Sequence, residues 1–175
     1  MKLIFPFGTQ GISRGLVKHY VQRPDTIVIA SVCIPTSDQV ETLTRLLAGK
    51  GSKLILAKID ATSGTSVLQI ISHLNQHHNI QHIDNVIASA RIFTLTAHQK
   101  IGSMKLTDLQ LRIDVNAYSI VRHFQGVWPL PSKSTKTVFL LNSAGTGTLS
   151  GMKSFAYLPL NSYVLVLRRQ KRALS

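Results

Sequence analysis

The residues Phe7-Gly8-Thr9-Gln10-Gly11-Ile12-Ser13-Arg14-Gly15 carry the clearest chemical pattern in this chain. They follow a short apolar run, Leu3-Ile4-Phe5, and lead into apolar residues at helical spacing: Leu16, Val17, Tyr20 and Val21. A strand, a glycine-rich turn and a helix start together make a phosphate site. Glycine lets the backbone approach the anion, and the helix N-terminus offers free N–H groups and the positive end of its dipole. Such an opening belongs to a dinucleotide-binding domain. The other chemical candidates are weaker. His73, His77, His78 and His82 could suggest a metal, because 73 and 77 share a helix face. No cysteine stands near them in sequence, and they read as a polar helix end running into a surface loop without a complete ligand set. Cys33 ends an apolar run without a histidine motif and reads as a packed residue rather than a nucleophile. Trp128, beside Pro129, reads as a packing residue at a helix end.

The elements that must position the turn follow in alternation. Lys2–Phe5 reads as a buried strand and Ile12–Gln22 as a helix, stopped by Arg23-Pro24-Asp25. Thr26–Val32 is continuously apolar, as in a parallel strand covered on both faces. Ser37 or Asp38 caps a helix whose apolar positions are Val40, Leu43, Leu46 and Leu47. A third strand covers Lys53–Ile59, ending at Asp60. Ser63–His77 is an amphipathic helix, Ile83–Ser89 a fourth strand, Leu106–Val127 a long helix closed by Pro129 and Pro131, and Thr137–Asn142 a fifth strand. Strands separated by helix-length segments, with right-handed crossovers, predict an α/β fold: a Rossmann-like, doubly wound parallel sheet of about five strands.

A chain of 175 residues predicts one domain with a real core, and 44% hydrophobic against 15% charged residues argues against disorder. No apolar run is long enough to cross a bilayer and no leader pattern precedes the first strand, so no membrane partner is expected. A single cysteine excludes an internal disulfide framework and fits a reducing compartment, the cytoplasm. The charge is less ordinary: 20 Lys+Arg against 7 Asp+Glu give +13. Such a field attracts phosphate-bearing partners. The basic residues are nevertheless spread out, except for Arg168-Arg169-Gln170-Lys171-Arg172, and no aromatics interleave with that cluster. A basic nucleic-acid-binding protein is therefore a disfavoured alternative.

With these elements placed, the chain resembles the short-chain dehydrogenase/reductase family, and within it the fungal subgroup that includes norsolorinic acid ketoreductase. Residues 11–26 are similar to the family's first turn, helix and exit to strand two, and Ile83-Asp84-Asn85-Val86-Ile87-Ala88-Ser89-Ala90 to its fourth strand. Asp114-Val115-Asn116 looks like its mid-helix asparagine motif. Val138-Phe139-Leu140-Leu141-Asn142-Ser143-Ala144-Gly145, then Asn161-Ser162-Tyr163, look like its catalytic serine and tyrosine segments. The resemblance runs from about residue 2 to residue 163 and rests on the order and spacing of these segments. It implies an NAD(P)(H)-dependent carbonyl/alcohol oxidoreductase, with a small-molecule carbonyl substrate from fungal polyketide metabolism and a homo-oligomer as a further expectation. In that reading Tyr163 gives a proton to the carbonyl oxygen, Ser143 hydrogen-bonds the same oxygen, and Asn116 holds a water in the proton relay. Gly11 and Ile12 lie under the pyrophosphate, Asp60 meets the adenine, and Arg14 contacts a 2′-phosphate, favouring NADP(H) over NAD(H).

The departures from the family are local. Its first glycine is Phe7 here and its third is Ser13: a phenylalanine is expected to crowd the turn, and a Cβ at 13 to push helix from strand. The basic residue of NADP-preferring relatives after strand two is Cys33. The family's Asn-Ala-Gly after strand four is Ser89-Ala90-Arg91, where a bulky cation enters the cofactor side. A gapless alignment puts Ala144, not Ser143, at the serine position. Four residues after Tyr163, where the family has the lysine that lowers the tyrosine pKa and holds the ribose, stands Leu167. Arg168, about 140° around a helix from Tyr163, and Lys171, some 12 Å along it, do not replace a same-face neighbour. The domain expected is therefore 1–163, an incomplete NAD(P)-binding unit, with 164–175 a basic tail unlike the family. A frameshift or misread intron boundary produces such an abrupt change, and the transcript sequence tests it. The competing reading is a catalytically inactive remnant that binds a nucleotide or a protein partner.

Overall fold

The computed structural model describes residues 2–33, 38–92, 104–128 and 138–142. Among these residues five strands form one sheet: β1 (Lys2–Phe7), β2 (Thr26–Val32), β3 (Lys53–Lys58), β4 (Asn85–Ala88) and β5 (Val138–Leu141). Their order is β3-β2-β1-β4-β5, and every pair is parallel. The helices are α1 (Gly11–Val21), α2 (Asp38–Thr44), α3 (Ser66–His78), α4 (Leu106–Ile113) and α5 (Ser119–Val127), with a π-turn at Asp114–Tyr118 joining the last two. Strand order reverses direction between β1 and β4, which makes the sheet doubly wound and opens a crevice at the carboxyl ends of those strands.

Period-two alternation along β2 divides the core in two. Ile27 and Ile29 join Phe5 and Phe7 of β1 and meet Val67 and Leu74 of α3. Val28 and Ala30 face the other way, onto Val17 and Val21 of α1 and Leu43 of α2. Every β2 residue is buried, because helices cover both faces of the sheet. α3 ends on Asn79 in the left-handed conformation (φ 54°), whose N–H donates back to Leu74 and Asn75 carbonyls.

Several boundaries differ from the sequence reading for physical reasons. β1 runs two residues past Phe5, through Pro6. Its pairing with β2 ends at Ile4↔Val28, so Pro6 is paired only with β4 and its missing N–H removes nothing from the β2 ladder. α2 stops at Thr44, leaving Leu47 84% exposed. Trp128 is not a packed helix end: it is 73% exposed and only leans on Phe124, ring centroids 5.1 Å apart. The long helix forms, but widens in its middle. Ser119 N–H reaches back to the Asp114 carbonyl, one residue beyond α spacing, and the Val115 carbonyl this bypasses accepts from Ser119 Oγ at 2.6 Å.

α3 and α5 touch where Gly126 meets Val67: a Cβ on Gly126 would stand 2.5 Å from Val67 Cγ1. The pair is closed by the absence of a side chain. Gly126→Ala should therefore destabilise by about 1–3 kcal/mol in chemical denaturation despite alanine's better helix propensity. Adding Val67→Ala should make the double variant lose less than the sum of the single losses; strict additivity would show that the two positions do not share the contact.

Candidate functional site

The chain entering the crevice is set by two hydrogen bonds. Gly8, at φ +111°, donates its N–H to Ser31 Oγ of β2 at 2.7 Å. Ser13 Oγ, on the first turn of α1, donates to the Phe7 carbonyl at 3.1 Å. Ser13 is 2% exposed, and a Cβ on Gly8 would come within 3.0 Å of its Oγ. Here the structure corrects two expectations. Ser13 does not push helix from strand; its hydroxyl bonds the helix to the strand end. Phe7 does not crowd the turn, because as the last residue of β1 its ring goes into the core, stacked 4.4 Å from Phe5 and 3.8 Å from His123 of α5.

α1 begins without a cap. Gln10 makes no side-chain cap bond, and no acidic residue occupies the first turn. The first N–H groups of a helix have no intrahelical acceptor, so this end is open to an anion. Gly11, at φ +51°, has nothing within 4 Å of where a Cβ would lie, and Ile12 is 64% exposed. Arg14 is exposed on the next residues of the same turn.

A cavity of about 530 Å³ lies over these strand ends. Its walls include the Gly8–Gln10 turn, Ser31 near the end of β2 and Cys33 after it, Asp38 at the start of α2, Ile59 and Ala61 after β3, Ser89–Ile92 after β4, and Val115 and His123 from the long helix. Cys33 is exposed on this wall rather than packed, a further correction. The open helix end, the glycine turn and a cavity at the strand carboxyl ends fit a dinucleotide, and Gly8 of that turn lines the cavity.

Asp60 stands at the rim between lining residues Ile59 and Ala61, exposed. Its Oδ1 accepts from the Thr62 hydroxyl at 2.7 Å and the Thr62 N–H at 2.8 Å. Those bonds, the hydroxyl first, hold its carboxyl below the usual carboxylate range, so the rim carries a fixed negative charge near neutrality. Asn116, in the π-turn, is half-buried and clamps the chain after β4: Oδ1 accepts from Ile92 N–H at 2.9 Å and Nδ2 donates to the Ile92 carbonyl at 3.1 Å. Arg122 ties the same π-turn to the β3 exit, donating to the Ala61 carbonyl and pairing with Asp114, both at 3.1 Å. Asn142, after β5, donates from Nδ2 to Ser89 Oγ at 3.0 Å. Gly11, Ile12, Arg14, Asp60 and Asn116 are not themselves wall residues, but each is next in sequence to one: Gly11 to Gln10, Ile12 and Arg14 to Ser13, Asp60 to Ile59 and Ala61, and Asn116 to Val115. Ser143, Tyr163 and Leu167 lie outside the described residues.

Sequence reasoning missed Ser31, Ser13 as a strand-to-helix tie, and His123. Ser31 is the polar residue near the end of an otherwise apolar strand. His123 falls at helical spacing after Val115 and Ser119, the face that turns out to be buried. It is 2% exposed, and among the described residues its Nδ1 has no hydrogen-bond partner.

Burial first, and the neighbouring Arg122 charge second, push the His123 pKa down from 6.5 to about 4. The imidazole is neutral at pH 7 in the folded chain. Between pH 6.5 and 4 the unfolded chain binds the proton and the folded chain does not, so stability falls as pH falls through that window and levels off below it. The loss should reach roughly 2–3 kcal/mol. His123→Phe, which keeps the stack on Phe7, should flatten that slope in denaturation curves at pH 7 and pH 4.5. An equal slope in both proteins would assign the acid sensitivity elsewhere.

The profile described as enoyl-(acyl carrier protein) reductase matches residues 8–159. A short chain dehydrogenase of Penicillium aethiopicum is 38% identical over 159 residues, covering 89% of this chain and 61% of that protein. The norsolorinic acid ketoreductase of Dothistroma septosporum is 33% identical over 159 residues, covering 90% of this chain and 58% of that protein. The chain thus spans about three-fifths of the length of these curated relatives. Among solved structures, a carbonyl reductase from Pseudomonas aeruginosa superposes over 100% of this chain and 78% of its own, with TM-score 0.78 and 19% identity. The NADPH-bound carbonyl reductase from chicken fatty liver covers 94% of this chain and 66% of its own, with TM-score 0.74 and 16% identity. At those identities the superpositions speak for the fold, a Rossmann-like α/β sheet. With the profile covering most of its length and the fungal enzymes aligned along nine-tenths of it, the chain belongs to the short-chain dehydrogenase/reductase family.

Proposed function

We propose that this chain reduces a small-molecule carbonyl with a nicotinamide dinucleotide, NADP(H) in preference to NAD(H), in fungal polyketide metabolism. The observation that carries the reading is the uncapped α1 N-terminus over Gly8 and Gly11, facing a cavity at the strand ends. The norsolorinic acid ketoreductases among its relatives support a ketone substrate, which this reading takes to be an aromatic polyketide. The bound nicotinamide supplies hydride. The chain's own residues bind, orient and move the proton. Gly11 and Ile12 present N–H groups to the pyrophosphate, and Arg14 stands exposed where a 2′-phosphate can reach it. Asp60 offers its carboxylate to the adenosine end. Ser143 hydrogen-bonds the carbonyl oxygen and Tyr163 delivers the proton. Asn116 has its amide committed to Ile92, which leaves Oδ1 one further lone pair for the relay water. A cytoplasmic homo-oligomer completes the proposal.

One sequence feature favours a second reading, nucleotide binding without turnover. Leu167 stands where the family's lysine would lower the pKa of Tyr163. A free tyrosine has a pKa of about 10, so without a nearby cation it is a weak proton donor to the carbonyl oxygen.

Titration with NADPH and NADH, followed by nicotinamide fluorescence and melting temperature together, separates these readings. Saturable binding that raises the melting temperature, tighter for NADPH, and reduction of aromatic ketones abolished by Tyr163→Phe with binding retained, is the expected result. Binding with no turnover of any ketone would leave the second reading. A folded chain that binds neither nucleotide would sink both.

A further inference from the structure

Arg91 is an unabsorbed feature of the cavity. It follows β4 in the segment Ser89-Ala90-Arg91-Ile92, all four lining the cavity wall, and its own side chain is exposed. The β4 exit abuts the β1–α1 turn: a Cβ on Gly8 would lie 3.8 Å from the Ala90 Cα. Arg91 is the next residue. The segment is held in register from the far side, since Asn116 bonds both the N–H and the carbonyl of Ile92 and Asn142 bonds Ser89. Among the described residues Arg91 enters no ion pair.

The cavity wall is polarised. Its single carboxylate among the described residues is Asp38, at the start of α2 beyond β2; its guanidinium is Arg91, beyond β4. In the strand order these two lie on opposite sides of β1, with the open α1 N-terminus between them. A hydroxyl-bearing ribose is favoured at the Asp38 side and an anion at the Arg91 side. Guanidinium presents a planar fork of donors that matches two phosphate oxygens at once.

We propose that Arg91 binds the phosphates of the dinucleotide, meeting from the β4 side the same anion that the α1 N-terminus meets from the β1 side. This rests on the nucleotide-binding reading above and adds to it a recognition residue in a turn where the family has glycine. The cation then strengthens a phosphate site whose glycine pattern is thinned at Phe7 and Ser13.

The test compares the full chain with its Arg91→Ala, Arg91→Gly and Arg91→Lys variants, titrated with NADPH, ADP-ribose and adenosine at low and high salt. Because Arg91 is exposed, melting temperatures without nucleotide should match. Arg91→Ala should weaken NADPH and ADP-ribose roughly 10- to 100-fold, leave phosphate-free adenosine unchanged, and reduce the salt dependence. Arg91→Lys should recover part of the loss, as a point charge without the fork. ADP-ribose affinity indifferent to Arg91→Ala would overturn the inference while leaving nucleotide binding intact. Tighter binding by Arg91→Gly would overturn it too, and mark the side chain as an obstruction. Failure of the unaltered chain to bind any dinucleotide would remove this inference together with the function it rests on.

Discussion

The turn between β1 and α1 depends on two short hydroxyl contacts, Gly8 N–H to Ser31 Oγ and Ser13 Oγ to the Phe7 carbonyl. They fix the glycine turn to the neighbouring strand on one side and the helix to its own strand on the other. The Phe7 carbonyl and the Gly8 N–H are backbone groups at the end of a buried strand, where an unpaired polar atom is costly. Satisfying them with serine hydroxyls lets the turn keep its position without glycine at 13. The first N–H groups of α1 carry no side-chain cap from Gln10.

The core beneath that turn is correspondingly unusual. Phe5, Phe7 and the His123 ring form a continuous stack under the sheet end. An imidazole can take a phenylalanine's place in such a stack only in its neutral form, because desolvating the cation costs more than the ring contact returns. His123 thus belongs to both the cavity wall and the apolar core, as Phe7 and Ile59 do.

The long helix couples these parts. Its π-turn places Asn116 against Ile92 and Asp114 against Arg122, so the chain after β4 and the chain after β3 are tied to the same widened turn. The widening itself is stabilised locally, since Ser119 supplies the hydroxyl that the bypassed Val115 carbonyl needs. A regular helix of the same sequence would rotate the residues on one side of the turn relative to those on the other by about 100° per residue inserted. Val115 and His123 both reach the cavity wall with the turn in place.

Much of this was legible in the residues. The alternation of apolar strands with amphipathic helices is a local property of side-chain period, and it gave the five parallel strands and the glycine turn near their observed places. The family assignment also followed from segments whose order is linear. Which groups the tertiary structure alone settled is clear from the same positions. Phe7 and Ser13 looked like damage, because a glycine rule scores the residue and cannot see that one ring has a core to enter and one hydroxyl a carbonyl to meet. Cys33 looked packed because it follows an apolar strand, whereas the strand end opens into a cavity. His123 carried no local signal beyond its helical spacing. Its neutrality comes from Phe7, distant in sequence, and from the burial that only the closed sheet and helix provide. Periodicity is written along the chain; hydrogen-bond partners and desolvation depend on what the fold brings beside it.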